Sequence, residues 1–191
     1  MAIPQNTQIP SGKSQFMKFK QGDNNFRIVS DIITGWEGWK DKKPFRRAGN
    51  DCTIKVEEVD LDNFGKPNRK YFWAMVVWNY DDKQIQVLEL TQTSIMNTLF
   101  NLESNGKWGD LKNYDLTITK KGEKMETEYT IVPNPKEPLK EEIQKAYTDS
   151  KVDLSKLFEG EYPMTEDTGH TPYATVSDED IEEINPSDIP F

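Results

Sequence analysis

In Arg69-Lys70-Tyr71-Phe72-Trp73-Ala74-Met75-Val76-Val77-Trp78-Asn79-Tyr80 the ten residues from Tyr71 to Tyr80 are the most β-prone run of the 191-residue chain. Aromatic and β-branched side chains fill it, and Asp81-Asp82 then turn the chain into a second run, Gln84 to Leu90. Side chains of a strand alternate faces, so Tyr71, Trp73, Met75 and Val77 share one side and Phe72, Ala74, Val76, Trp78 and Tyr80 the other. The set with Ala74 and Val76 at its centre reads as core. Tyr71 and Trp73 are then the rings free to stack on a ligand, with Arg69 and Lys70 beside them. A slip of one residue would exchange the two sets.

Working outward, residues 1–14 hold two prolines and a glycine without periodicity and are expected to form a flexible arm. Alternation begins at Gln15, with Phe16, Lys18 and Lys20 opposed to Met17 and Phe19. After a turn at Gly22-Asp23-Asn24 comes a strand, Phe26 to Ser30. Ile32-Ile33-Thr34 continue the pattern, Gly35 and Gly38 predict a bend around Trp36 and Trp39, and Lys40 to Arg47 reads as a basic loop. Cys52 to Val59 alternates as a strand, and Asp60 to Lys70 reads as a polar hairpin loop. Ile95, Met96, Leu99, Phe100 and Leu102 follow helical spacing, with Thr91 or Thr93 as N-cap and Gly106 as the stop. Strands are expected at about 114–120 and 127–132, ended by Pro133, Pro135 and Pro138. A charged amphipathic helix near 139–148 and an apolar cluster at Leu154, Leu157 and Phe158 follow.

Strands, one helix and a closing hairpin are the order of an OB-fold. The predicted fold is mainly β: a five- to six-stranded OB barrel with one helix before the last hairpin, plus a disordered acidic C-terminal tail. One strand more than five is counted, so either a long strand is split at Gly35 or one has been added. The organisation read from the sequence is an arm over 1–14, an OB-fold domain over 15–133, a Pro-bounded helical extension over 134–160 and an acidic tail over 161–191.

Charge is distributed unevenly. Residues 157–191 contain ten Asp/Glu and no Lys or Arg, whereas residues 1–156 are nearly balanced, within a chain of net charge −9. Such a segment repels itself and has too little apolar surface to order. Residues 13–47 run the other way, with nine Lys/Arg against four acidic side chains. One cysteine, Cys52, excludes an internal disulfide, and the one histidine, His170, forms no cluster with it that could hold zinc. No apolar run reaches membrane-spanning length, and the N-terminal residues lack the pattern of a signal peptide. A soluble intracellular protein without cofactor or metal is expected.

The basic stretch also carries rings: Trp36, Trp39 and Phe45 lie among Lys40, Lys42, Lys43, Arg46 and Arg47. Single-stranded nucleic acid offers a phosphate at each nucleotide and exposed base faces, and a groove for it needs cations along the backbone track and flat rings to stack on. No arginine-rich helix suited to a major groove is present. The bland alternative makes Trp36 and Trp39 core residues beside a solvated loop. Glu57, Glu58, Asp60 and Asp62 suggest a magnesium site only weakly, because no Lys or His accompanies them as a base. Nothing in the sequence requires an enzyme.

The ending Asp188-Ile189-Pro190-Phe191, after Asp178-Glu179-Asp180 and Glu182-Glu183, closely resembles the acidic tip of bacterial single-stranded DNA-binding proteins. The body is similar to the single-stranded DNA-binding proteins of tailed bacteriophages, in Phe26-Arg27-Ile28-Val29, Gly35-Trp36-Glu37, Phe72-Trp73-Ala74, Val77-Trp78-Asn79-Tyr80 and Trp108-Gly109-Asp110. The resemblance implies a domain that coats DNA in replication, recombination and repair, in the cytoplasm of an infected bacterial host. It also implies a tail that recruits replication or recombination proteins through Asp188, Ile189, Pro190 and Phe191. Some phage members hold zinc, but this chain lacks the ligands. Two rival readings remain: an acidic DNA mimic that inhibits a nuclease or restriction enzyme, and a metal-dependent nuclease. RNA is an alternative polymer, since stacking and phosphate contacts serve both.

Overall fold

The computed structural model describes residues 14–164. The expected arm, apart from Ser14, and all but the first four residues of the expected tail lie outside that range.

Seven strands form one antiparallel sheet: β1 Gly22–Ile28, β2 Ile33–Lys40, β3 Lys43–Ala48, β4 Arg69–Asn79, β5 Gln84–Leu90, β6 Tyr114–Lys121 and β7 Glu128–Lys136. A helix, α1 Thr93–Ser104, lies between β5 and the β6–β7 hairpin, and α2 Glu141–Ser150 and α3 Lys156–Glu159 follow β7. The strand order is β3-β2-β4-β1-β6-β7, with β5 on the other edge of β4. The sheet is open: among the described residues the ladder does not close into the expected barrel. Mainly β character and a helix ahead of the final hairpin are found as expected. No helix among the described residues is long and apolar enough to cross a membrane.

The long β4 organises the sheet. Its first half pairs with β2 (Ala74 with Ile33, Arg69 with Gly38) and its last residues with β1 (Val77 with Ile28, Asn79 with Phe26). From Ile28 to Ile33 the chain takes five steps where β4 takes three, from Val77 to Ala74, so β1 and β2 are one path broken by a bulge. Ser30 Oγ accepts a bond from Val76 N–H at 2.8 Å there and replaces a ladder partner. The break expected at Gly35 therefore falls at Ser30 to Ile32. Gly35 lies inside β2 for another reason: a Cβ there would stand 2.7 Å from both the Arg47 carbonyl oxygen and the Phe158 ring.

Further expectations are corrected. Lys40 to Arg47 is not a loop; it supplies the end of β2 and most of β3, joined by a two-residue turn in which Asp41 and Lys42 have φ of 51° and 61°. Gly22-Asp23-Asn24 begins β1 rather than turning, and Gln15 to Met17 instead bond to Val87 of β5. Cys52 to Val59 is irregular with a 3-10 turn at Val56–Glu58. Its carbonyls find partners outside a ladder: Arg47 bonds Thr53 O at 2.8 Å, Arg69 bonds Ile54 O, and the 3-10 turn takes Lys55 O and Val56 O. The helix N-cap is Gln92, between the two threonines expected, and it makes no side-chain cap. β7 passes through Pro133 and Pro135 to Lys136, beyond the boundary expected at 133, because an edge strand tolerates residues that cannot donate.

Both faces of β4 are covered. Met75 and Val77 join Phe26, Ile28, Leu88 and Leu90 beneath Ile95, Met96 and Leu99 of α1. Phe72, Ala74 and Val76 join Val87 beneath Ile143 of α2 and Leu157 of α3. The choice of the Phe72 set alone as core is thus corrected. Phe72, Ala74 and Val76 are buried by the helical segment after β7, but Met75 and Val77 of the other set are equally buried under α1, while Trp78 and Tyr80 are only half-buried. On the α1 side, Tyr71 and Trp73 are only half-buried.

Candidate nucleic-acid interface

Register decides which candidate side chains share a surface. Trp36 stands opposite Tyr71 on β4 and opposite Arg47 on β3, Thr34 opposite Trp73, Gly38 opposite Arg69 and Phe45, and Lys40 opposite Lys43. Cross-strand partners point to the same side, so these residues lie on the α1 side of the sheet. Trp39, Arg46 and Lys70 alternate to the other side.

Trp36 and Tyr71 form a tilted pair, ring centroids 5.3 Å apart and planes at 51°. They border an open groove of about 490 Å³ that runs past Trp73 to Thr91, Thr93, Met96 and Asn97 at the start of α1, with Lys70 and Asn50 also on its wall. Thr34 Oγ1 and Tyr71 Oη both donate to Asn50 Oδ1, at 2.9 and 2.8 Å, and Trp36 Nε1 donates to the Asn50 carbonyl oxygen at 2.9 Å. Trp73 separates this groove from a second cavity of about 240 Å³. There Ile28, Ile32, Leu99 and Phe100 provide an apolar wall beneath Asp31, Glu103, Asp110 and Lys112. Lys112 is bonded to Asp31 at 2.5 Å, which raises the lysine above its ordinary value and lowers the aspartate. Carboxylates on this rim make the second cavity unfavourable to phosphate.

The basic candidates divide by chemistry. Arg46 is internal, its side chain 8% exposed, and it holds Glu37 at 2.7 Å and Glu89 at 2.8 Å while lying 4.8 Å above the Phe72 ring. Burial would lower its pKa, but the two carboxylates outweigh that and raise it, so it is permanently charged and already neutralised. Arg47 pairs with Glu58 at 2.5 Å and lies 5.7 Å from the Phe45 ring centroid. Arg69 is engaged by Ile54 O. Lys40 approaches Asp60 at 3.8 Å. Lys42, Lys43 and Lys70 are exposed, and their ammonium groups have no partner among the described residues. The arginines brace the fold and the lysines are the available charges.

Phe45 is half-buried, packed with Val59 over Gly38, where a Cβ would lie 2.9 Å from Phe45 and 2.8 Å from Val59. Trp39 is half-buried across the sheet from the groove. Three of the four carboxylates read as a weak magnesium site have other partners: Glu58 holds Arg47, Asp60 faces Lys40, and Asp62 accepts from Phe64 and Lys66 N–H. Asp188, Ile189, Pro190 and Phe191 lie outside the described residues.

Sequence reading overlooked Asn50, Glu37 and Glu89. The two acids had a signal: once the hairpin turn is placed at Asp41-Lys42, Glu37 falls directly opposite Arg46. Asn50 had none beyond the Gly49 before it. Comparison of the chain with protein-family models, with curated proteins and with solved structures gives no match.

Proposed function

We propose that the chain binds single-stranded DNA without sequence preference, in the groove bordered by Trp36, Tyr71 and Trp73. The observation that carries this reading is the tilted pair of half-buried rings, Trp36 and Tyr71, on the wall of an open groove that the unpartnered Lys70, from the other side of β4, also borders. Base stacking on such rings is worth about 1–3 kcal/mol per base, and lysines beside them attract the phosphates. Lys42 and Lys43 at the β2–β3 turn extend the cationic track, whereas Arg46 does not belong to it. In this reading the sheet is a variant of the OB arrangement, with β1 and β2 as its long broken strand and β3 as an addition.

The resemblance to the single-stranded DNA-binding proteins of tailed bacteriophages supports the same reading, and on that resemblance the proposed setting is phage DNA replication, recombination and repair. The acidic segment over 161–191 then competes with DNA for the lysines, and Asp188 to Phe191 recruits a replication or recombination protein. The test is a titration of tryptophan fluorescence with oligo-dT at two salt concentrations, for the full chain and for a chain ending at Ser177. Quenching that weakens with salt and strengthens on truncation is expected. Absence of quenching in both overturns the reading in favour of an acidic DNA mimic.

A further inference from the structure

We infer that Asn50 is a positioning residue that fixes the aromatic platform before DNA arrives, an inference that rests on the groove being the DNA site. Trp36, Tyr71 and Thr34 come from two strands, and an aromatic side chain half in solvent has alternative rotamers. Stacking on a mobile ring must first order it, which weakens binding; a ring held in place avoids that loss.

Asn50 supplies the restraint at both ends of the pair. Its Oδ1 accepts from Tyr71 Oη at 2.8 Å and from Thr34 Oγ1 at 2.9 Å, and its carbonyl oxygen accepts from Trp36 Nε1 at 2.9 Å. These bonds hold the rings by their polar edges and leave their faces available. Asn50 is itself exposed, so its side chain is not needed to fill a core. Its location depends on the preceding glycine. Gly49 has φ of +118°, outside the range comfortable for other residues, and its N–H bonds Thr34 O at 3.1 Å, which turns the chain back over β2. A Cβ on Gly49 would meet nothing within 4 Å, so the requirement there is purely one of backbone conformation.

The experiment compares Asn50→Ala, Asn50→Asp, Tyr71→Phe and the Asn50→Ala/Tyr71→Phe double variant with the wild-type full chain. Oligo-dT affinity is measured by anisotropy at two salt concentrations, and the ring environment by near-ultraviolet circular dichroism without DNA. Asn50→Ala is expected to weaken binding about tenfold, equally at both salts, and to reduce the near-ultraviolet signal while the urea midpoint barely moves. Tyr71→Phe should cost much less in that background than in the wild type, because both changes remove one interaction. Asn50→Asp keeps the acceptor oxygen, so the ring signal should persist; its added charge should weaken binding by a factor that shrinks with salt. Wild-type affinity in Asn50→Ala, or additive losses in the double variant, overturns the inference while leaving the groove as the DNA site. No binding by the wild-type chain overturns the function and this inference together.

Discussion

Arg46 on β3 and Glu89 on β5 form a two-pronged ion pair, Nη1 to Oε1 at 2.8 Å and Nη2 to Oε2 at 2.9 Å, although β2 and β4 separate their strands. The guanidinium crosses Phe72 to reach it and takes Glu37 on the way. Replacing Arg46 by Met should leave two poorly solvated carboxylates without a cation and destabilise the fold by about 3–5 kcal/mol, read as a lowered urea midpoint. Adding Glu37→Gln and Glu89→Gln should recover much of that loss. If Arg46 instead contacted phosphate, the single variant would keep its stability and lose DNA affinity.

Opposite faces of β2 should give opposite results. Trp36→Ala and Tyr71→Ala, on the groove side, are expected to lower oligo-dT affinity by about 1–3 kcal/mol each. Trp39→Ala, on the other side of the strand, should leave affinity unchanged. Anisotropy titrations of the three variants settle the matter: an equal loss for Trp39→Ala would mean that DNA follows the hairpin rather than the groove.

For charge, the division is by pairing rather than by face. If Lys70 neutralises a phosphate, its replacement by Ala should reduce the slope of log affinity against log salt by about 0.7. Arg47 has Glu58 as its partner, so Arg47→Ala should change stability and leave the slope near that of the wild type. Equal slope changes for the two would show that Arg47 exchanges its carboxylate for a phosphate on binding.

The strand content was readable because β4, β5 and β6 carry strong β patterns, but only β6 buries alternate residues. Ala74 to Val77 of β4 and Gln86 to Leu88 of β5 are buried in succession because both faces of the sheet are covered there. The β2–β3 hairpin was hidden by its turn. Asp41 and Lys42 adopt positive φ in place of the Asn-Gly that normally announces such a turn, so a strand read as a basic loop. Cys52 to Val59 failed in the opposite sense: its residues alternate, but Arg47, Arg69 and a 3-10 turn take carbonyls of the segment and it pairs with no strand. Within the candidate site, Trp36, Tyr71 and Trp73 were legible as rings near cations. That the arginines are internally paired and the lysines are not depends on register, and no local pattern carries it.

Glu58 gives the fold a pH dependence of predictable sign. Its side-chain bond with Arg47, helped by the backbone N–H of Lys55, lowers its pKa from an ordinary 4.5 to about 2. A carboxyl held lower in the folded than in the unfolded state stabilises the fold fully above the unfolded value and loses that contribution as pH falls through the folded one. The melting temperature of the wild type should therefore exceed that of Glu58→Gln at pH 6, and the gap should close between about pH 4.5 and pH 2. Both partners are solvent-accessible, so 0.5 M salt should narrow the gap at pH 6 as well. A gap that persists unchanged at pH 2 would show that Glu58 acts through packing rather than through its charge.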